Sequence, residues 1–354
     1  MKGRPMKKRL VYVDVINCMA IFFVLMLHSS QLANVSHAYT PVVKETRVIQ
    51  ALCIPAVYLF FMNSGATILN YRTRYSTKEF FKHRFTKVLI PFLVWSVLYY
   101  LYDLKWKAYP GPIPQSNPSI SNFWQAFSSN TINNIFWFFY VILGLYIVTP
   151  LLSKLSPKTM AVLIIIIACI YDLIPYVLHL FNTSIPAYQK FLTWFQYVAD
   201  GEYFLMGHLI RQELMSKKVE NGLIFCGGLA FLATFVSAWT YDRFTFFTGL
   251  SPFLYSVALY LVVKRASEHI TNKRVQSLFR AAAGGSLGLY ILHPVFYSWY
   301  QAILHVNWVQ QSYILGMPVV VYIVGTSFIL FIKKSKLIRI ILPWILPQYF
   351  NAYY

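Results

Sequence analysis

One run of membrane length near the start of the chain limits most strongly what the chain can fold into, because it is not wholly apolar. Val11 to Ala33 is long enough to cross a bilayer as a single helix, yet it carries Asp14, Asn17 and His28. Helical steps of 3, 11 and 14 residues return to nearly the same face, so these three side chains share one stripe. His28 then lies about 16 Å above Asn17, at roughly 1.5 Å per residue. Ionisable groups within a membrane are costly and face a protein interior or a wet cavity. The histidine reads either as a hydrogen-bonded packing residue or as a general base, since its pKa falls near working pH. Asp14 either belongs to the same chemistry or marks the membrane interface.

Runs of this kind recur along the chain. Ten spans are expected, at 11–33, 48–70, 88–103, 133–151, 159–181, 191–210, 221–240, 248–264, 281–304 and 312–332. The fold class that follows is all-α, a polytopic membrane helix bundle in one domain over 1–354. The tail 337–354 is aromatic and broken by Pro343 and Pro347, and is expected to lie along the interface. With 58% hydrophobic and 12% charged residues, a soluble domain is excluded. A net charge of +20 would suit nucleic acid, but the cations cluster in short gaps between apolar runs. With the N-terminus placed in the cytoplasm, 25 of the 31 lysines and arginines fall in inside segments and 6 in outside loops. That bias, with an even span count, places both termini in the cytoplasm. The expected partners are therefore membrane lipids and not nucleic acid. Cys18, Cys53, Cys169 and Cys226 all sit in apolar runs and suggest neither a disulfide framework nor a metal site. The first run has full membrane length and no small-residue cleavage site, so no removable signal is expected.

The most charged inside segment is 71–87. Ser76-Thr-Lys-Glu79 has the form of a capping box, so a short helix is expected to start there. Lys78, Lys82, His83, Arg84 and Lys87 follow, and Pro91 stands just inside the next span. These cations read as anchors on anionic headgroups or as a phosphate-binding patch. The outside loop 104–132 holds five prolines and glycines between 110 and 118, with Trp106, Tyr109, Phe123 and Trp124 suited to the interface. In span four, Tyr140 and Tyr146 either pack or turn hydroxyls into a cavity. Asp200 and Glu202 form a polar pair in span six with no legible role. Span nine opens with small residues, Ala281 to Ser286, and reaches His293 before Pro294. The proline frees a backbone carbonyl, and His293 is a candidate to satisfy it.

Four stretches in this order and spacing resemble the acyltransferase-3 family of bacterial integral-membrane acyltransferases, over nearly the whole chain. They are Tyr12-Val-Asp14 through His28-Ser-Ser30; Phe60-Phe-Met-Asn-Ser-Gly-Ala66 leading to Arg84-Phe-Thr-Lys87 and Ile90 to Trp95; Phe136 to Tyr140 with Leu145-Tyr146 and Pro150; and Ser286 to Pro294. The resemblance implies a ten-span enzyme of the plasma membrane. It would move an acyl group, usually acetyl, from cytoplasmic acetyl-CoA or another acyl-CoA to a hydroxyl of a surface polysaccharide or glycan precursor. It matches the family's essential histidine to His28 and its paired basic residues to Arg84 and Lys87, the second being lysine here. The family's usual basic residue eleven positions before the histidine is Asn17 in this chain. No extracellular esterase-like domain is expected after the last span.

The resemblance suggests CoA phosphates on Arg84, Lys87 and Lys82, a thioester arm passing Asn17, and His28 acting on the acceptor hydroxyl or carrying the acyl group transiently. Asp14 would orient a partner or anchor the helix end. A transporter or flippase of a glycan or lipid-linked precursor is the alternative that polar intramembrane residues also permit.

Overall fold

The computed structural model describes residues 10–36, 40–104, 118–195, 200–240 and 250–334. Among these the regular structure is entirely helical. The first half comprises α1 (Val11–Ser29), α2 (Leu32–Val35), α3 (Pro41–Cys53), α4 (Ala56–Ile68), α5 (Thr77–Arg84), α6 (Ile90–Asp103), α7 (Ile120–Ser128) and α8 (Trp137–Leu152). The second half comprises α9 (Pro157–Ala168), α10 (Ile174–Leu180), α11 (Pro186–Trp194), α12 (Gly201–Arg211), α13 (Lys217–Thr240), α14 (Leu250–Ser267), α15 (Lys273–Ala283), α16 (Ser286–Leu304) and α17 (Met317–Lys334).

Seven helical stretches have the length and apolarity to cross a membrane: Val11–Ser29, Pro41–Thr73, Thr77–Asp103, Asn134–Leu152, Pro157–Leu180, Lys217–Thr240 and Ser312–Lys334. They account for seven of the ten expected spans. The expected spans 248–264 and 281–304 are helical as α14 and α16, but tyrosine, serine, histidine and glutamine dilute their apolarity. The expected span 191–210 is divided between α11 and α12, and residues 196–199 lie outside the described residues. The tail 337–354, Trp106, Tyr109 and the loop prolines and glycine from Pro110 to Pro114 also lie outside them.

Prolines set the local geometry of three of these stretches. Each is preceded by a wide π-helical turn, Phe85–Leu89 before Pro91, Cys169–Leu173 before Pro175, and Ser312–Gly316 before Pro318. In each, the residue just before the proline bonds five residues back, Ile90 to Phe85, Ile174 to Cys169 and Met317 to Ser312. Proline has no N–H to give the carbonyl four residues back, and the wide turn absorbs that loss without breaking the helix. The basic segment 71–87 is consequently less of a loop than expected. The capping box forms, with Glu79 N–H on Ser76 Oγ at 3.3 Å and Ser76 N–H on Glu79 Oε2 at 2.8 Å. From there helix continues through the π turn into α6, so Lys82, Arg84 and Lys87 are held on a helical surface.

Several basic residues close helix ends, where carbonyls lack helical donors. Arg211 donates to Ala66 O at 3.1 Å and Arg74 to Thr67 O at 2.5 Å, both at the end of α4. Arg72 donates to Pro150 O and Ser153 Oγ at the end of α8, and Lys264 to Ile210 O near the end of α12.

α1 is the hub. It packs against α3, α4, α14, α15, α16 and α17, so its polar stripe faces protein. α4 and α12 approach so closely that a Cβ on Gly65 would sit 1.7 Å from Phe204 O, and one on Gly207 would sit 2.0 Å from Met62 O. Only residues without a side chain permit that approach.

Candidate active site

Asn17 is buried and paired. Its Oδ1 accepts from Asn63 Nδ2 at 3.0 Å; the same amide donates to Val13 O at 3.2 Å, and Asn63 Oδ1 accepts the Tyr260 hydroxyl at 3.0 Å. A neutral relay thus joins α1, α4 and α14. The uncharged residue at position 17 is matched by a carboxamide across the interface.

Asn17 and Asn63 form part of the wall of a cavity between α1, α4, α8 and α16. Phe60, Ser64, Val88, Phe138, Ile142, Tyr146, Ser286, Leu287 and Tyr290 complete the lining. The lining is mainly apolar, with a few converging amide and hydroxyl groups, as in small-molecule sites generally.

Tyr146 is one of its walls. The guanidinium carbon of Arg84 lies 5.6 Å from the centre of its ring and 5.8 Å from that of Phe80. Arg84 and Ser64 are polar neighbours of Tyr146. Arg84 is half-buried on the last turn of α5. Its Nε has no hydrogen-bond partner among the described residues. Lys87 is half-buried and Lys82 exposed on the same helical stretch, and neither lines the cavity.

Tyr290 is another wall. Its hydroxyl donates to Ile135 O at 2.7 Å, and its ring centre lies 5.9 Å from that of His293. His293 in turn lies 4.8 Å from His28, the ring planes inclined by 36°. The two intramembrane histidines, 265 residues apart in sequence, are therefore neighbours. His293 Nδ1 is 2.6 Å from Tyr290 O, the carbonyl that Pro294 cannot serve. The backbone role expected for this histidine is present.

Of the residues singled out in the sequence, Asn17 and Tyr146 line the cavity. Arg84 lies beside the Tyr146 ring, and His28 lies beside His293, whose ring also neighbours Tyr290; none of Arg84, His28 and His293 is in the lining. Asp14 is buried one turn from Asn17 and is not in the lining. The Tyr140 hydroxyl donates to Phe127 O and anchors α7 instead of entering the cavity. Asp200 and Glu202 lie with Asp172 away from this lining. Sequence reasoning missed Asn63, Ser64 and Tyr290 as cavity walls, and the signal available was a lone asparagine inside an apolar run.

A family model described as an acyltransferase domain, acyltransferase-3, matches residues 10–333. No curated protein and no solved structure gives a match. The matched residues take in nearly every described helix, including those that build the cavity and both histidines, so the chain belongs to the acyltransferase-3 family, a family of membrane acyltransferases.

Proposed function

We propose that this protein transfers an acyl group, acetyl in the first instance, from cytoplasmic acyl-CoA to a hydroxyl of a cell-surface glycan or its precursor. It would do so in the plasma membrane with both termini in the cytoplasm, the orientation favoured by the lysine and arginine distribution. The observation that carries the reading is the cavity itself. A cation lies beside one of its walls, Tyr146, and a pair of imidazoles lies beside another, Tyr290, in a chain of an acyltransferase family.

CoA is an elongated polyanion with a thin amide-bearing arm. Its phosphates would meet Arg84, with Lys82 and Lys87 on the same helical stretch. The arm would pass Tyr146 and Ser64 and lie against the Asn17 and Asn63 carboxamides, which can exchange hydrogen bonds with its amides. The thioester would then reach Tyr290. His28 would take the proton of the acceptor hydroxyl as its oxygen bonds to the carbonyl carbon. The carbon–sulfur bond breaks, and the departing thiolate takes up that proton, giving ester and free CoA.

The experiment is CoA release by purified protein supplied with acetyl-CoA and an extract of surface glycan. Release with ester formation is expected, with loss in His28→Ala at equal folding. Ester formation without CoA-thioester consumption, or full activity of His28→Ala, would overturn the assignment.

A further inference from the structure

The backbone bond of His293 accounts for one ring nitrogen and leaves the other unexplained. A carbonyl oxygen only accepts, so Nδ1, 2.6 Å from Tyr290 O, carries the hydrogen. In the neutral ring Nε2 is then a bare acceptor. His293 is fully buried, and Nε2 has no hydrogen-bond partner among the described residues. Buried acceptors are seldom left unmade, because the loss is not recovered elsewhere.

The hydroxyls around the ring are committed to other partners. The Tyr290 hydroxyl serves Ile135 O at 2.7 Å and Tyr297 serves Leu25 O at 2.5 Å. Among the described residues the remaining ring contact of His293 is with His28, across the helix interface, with centres 4.8 Å apart. At that separation one nitrogen of each ring can come within hydrogen-bonding distance by a small ring rotation. Such contacts commonly tighten only when substrate binds.

We infer that His293 is a positioning residue for His28: its Nε2 accepts the N–H of the His28 nitrogen that faces away from the substrate. This leaves the other His28 nitrogen bare to receive the proton of the acceptor hydroxyl, and it holds the ring in place as that proton arrives. The proton passes from acceptor oxygen to His28 and then to the CoA sulfur; His293 accepts a hydrogen bond throughout and gains no proton. The inference rests on the reading of His28 as the base.

Two substitutions separate the nitrogens. In His293→Asn the amide nitrogen stands where Nδ1 did and keeps the bond to Tyr290 O, but no acceptor reaches the Nε2 position. In His293→Gln the amide oxygen reaches that position. Wild type, both variants and His28→Ala are purified, and kcat and the KM for acetyl-CoA are measured with melting temperature as the folding control. The expected order of kcat is wild type, then His293→Gln, then His293→Asn, the last falling about 10- to 100-fold, of the size general-base catalysis supplies, with KM unchanged. Wild-type kcat in His293→Asn, equal losses in the two variants, or a larger loss in His293→Gln would overturn the inference. Should His293→Asn fail to fold, kcat of His293→Gln between those of wild type and His28→Ala supports it, and kcat equal to either overturns it. Full activity of His28→Ala removes the base reading itself. An inactive His28→Ala beside a fully active His293→Asn removes only the inference about His293.

Discussion

Gly65→Ala tests whether the α4–α12 contact holds the cavity in shape. The added Cβ would lie 1.7 Å from Phe204 O, 2.6 Å from Phe204 C and 3.0 Å from Phe204 Cα. All three are backbone atoms, so no side chain can swing aside. Ordinary contact begins near 3.4 Å, so the two helices must part by about 1.7 Å along that line. Overpacking of this kind costs about 1–3 kcal/mol, and a backbone obstacle places it at the upper end. The displacement also reaches the site. α4 carries Phe60, Asn63 and Ser64 into the cavity, and the 3.0 Å bond from Asn63 to Asn17 does not survive a shift of that size. A misplacement of about 1 Å can cost on the order of 100-fold in rate. The assay is thermal melting in detergent together with acyl-transfer rate, with Gly228→Ala as control, since nothing lies within 4 Å of a Cβ there. A melting temperature several degrees lower and a large rate loss in Gly65→Ala, against no loss in the control, are expected. A Gly65→Ala protein that melts and turns over like wild type would refute the argument.

Three further outcomes are expected. Asn17→Ala removes the Oδ1 that receives Asn63 Nδ2 and destabilises the fold by about 1–3 kcal/mol, read by denaturant titration in detergent; unchanged stability would show that the carboxamide pair contributes nothing. Glu220→Ala breaks the 2.9 Å contact with Arg265 and the 3.0 Å contact with Lys217 at the start of α13; because Arg265 keeps Asn221 and Lys217 is exposed, the loss in melting stability is held to about 1 kcal/mol. Arg84→Gln raises the KM for acyl-CoA about 10-fold or more with a smaller effect on kcat, the loss expected when a phosphate-binding cation is removed; a fall in kcat at constant KM would move Arg84 from binding to chemistry.

Much of this architecture could be read from particular residues. The stripe Asp14, Asn17, His28 predicts a helix that faces protein, and α1 is the hub of the bundle. Ser76 and Glu79 predict the start of α5 because a capping box is local chemistry. What escaped was non-local. Pro91 marks a helix beginning in sequence, but the π turn before it lets the helix run on, and only the neighbouring packing decides between those outcomes. Tyr140 and Tyr146 are equivalent in an aromatic run, yet one reaches the cavity and the other ties down α7, because a helical face is set by what lies opposite. The pairing of His28 with His293 is invisible in a single chain, since nothing local relates helices that far apart. Asn63 was legible only as a polar residue in an apolar span; its partner on α1 is what gives it meaning.

The most direct test of the central claim is ester formation from labelled acetyl-CoA by cells lacking this protein, re-supplied with wild type or His28→Ala at matched abundance. The account predicts alkali-labile label in the surface glycan with wild type and none above background with His28→Ala. Equal label from both would contradict it, and would leave His28 as a packing residue beside His293.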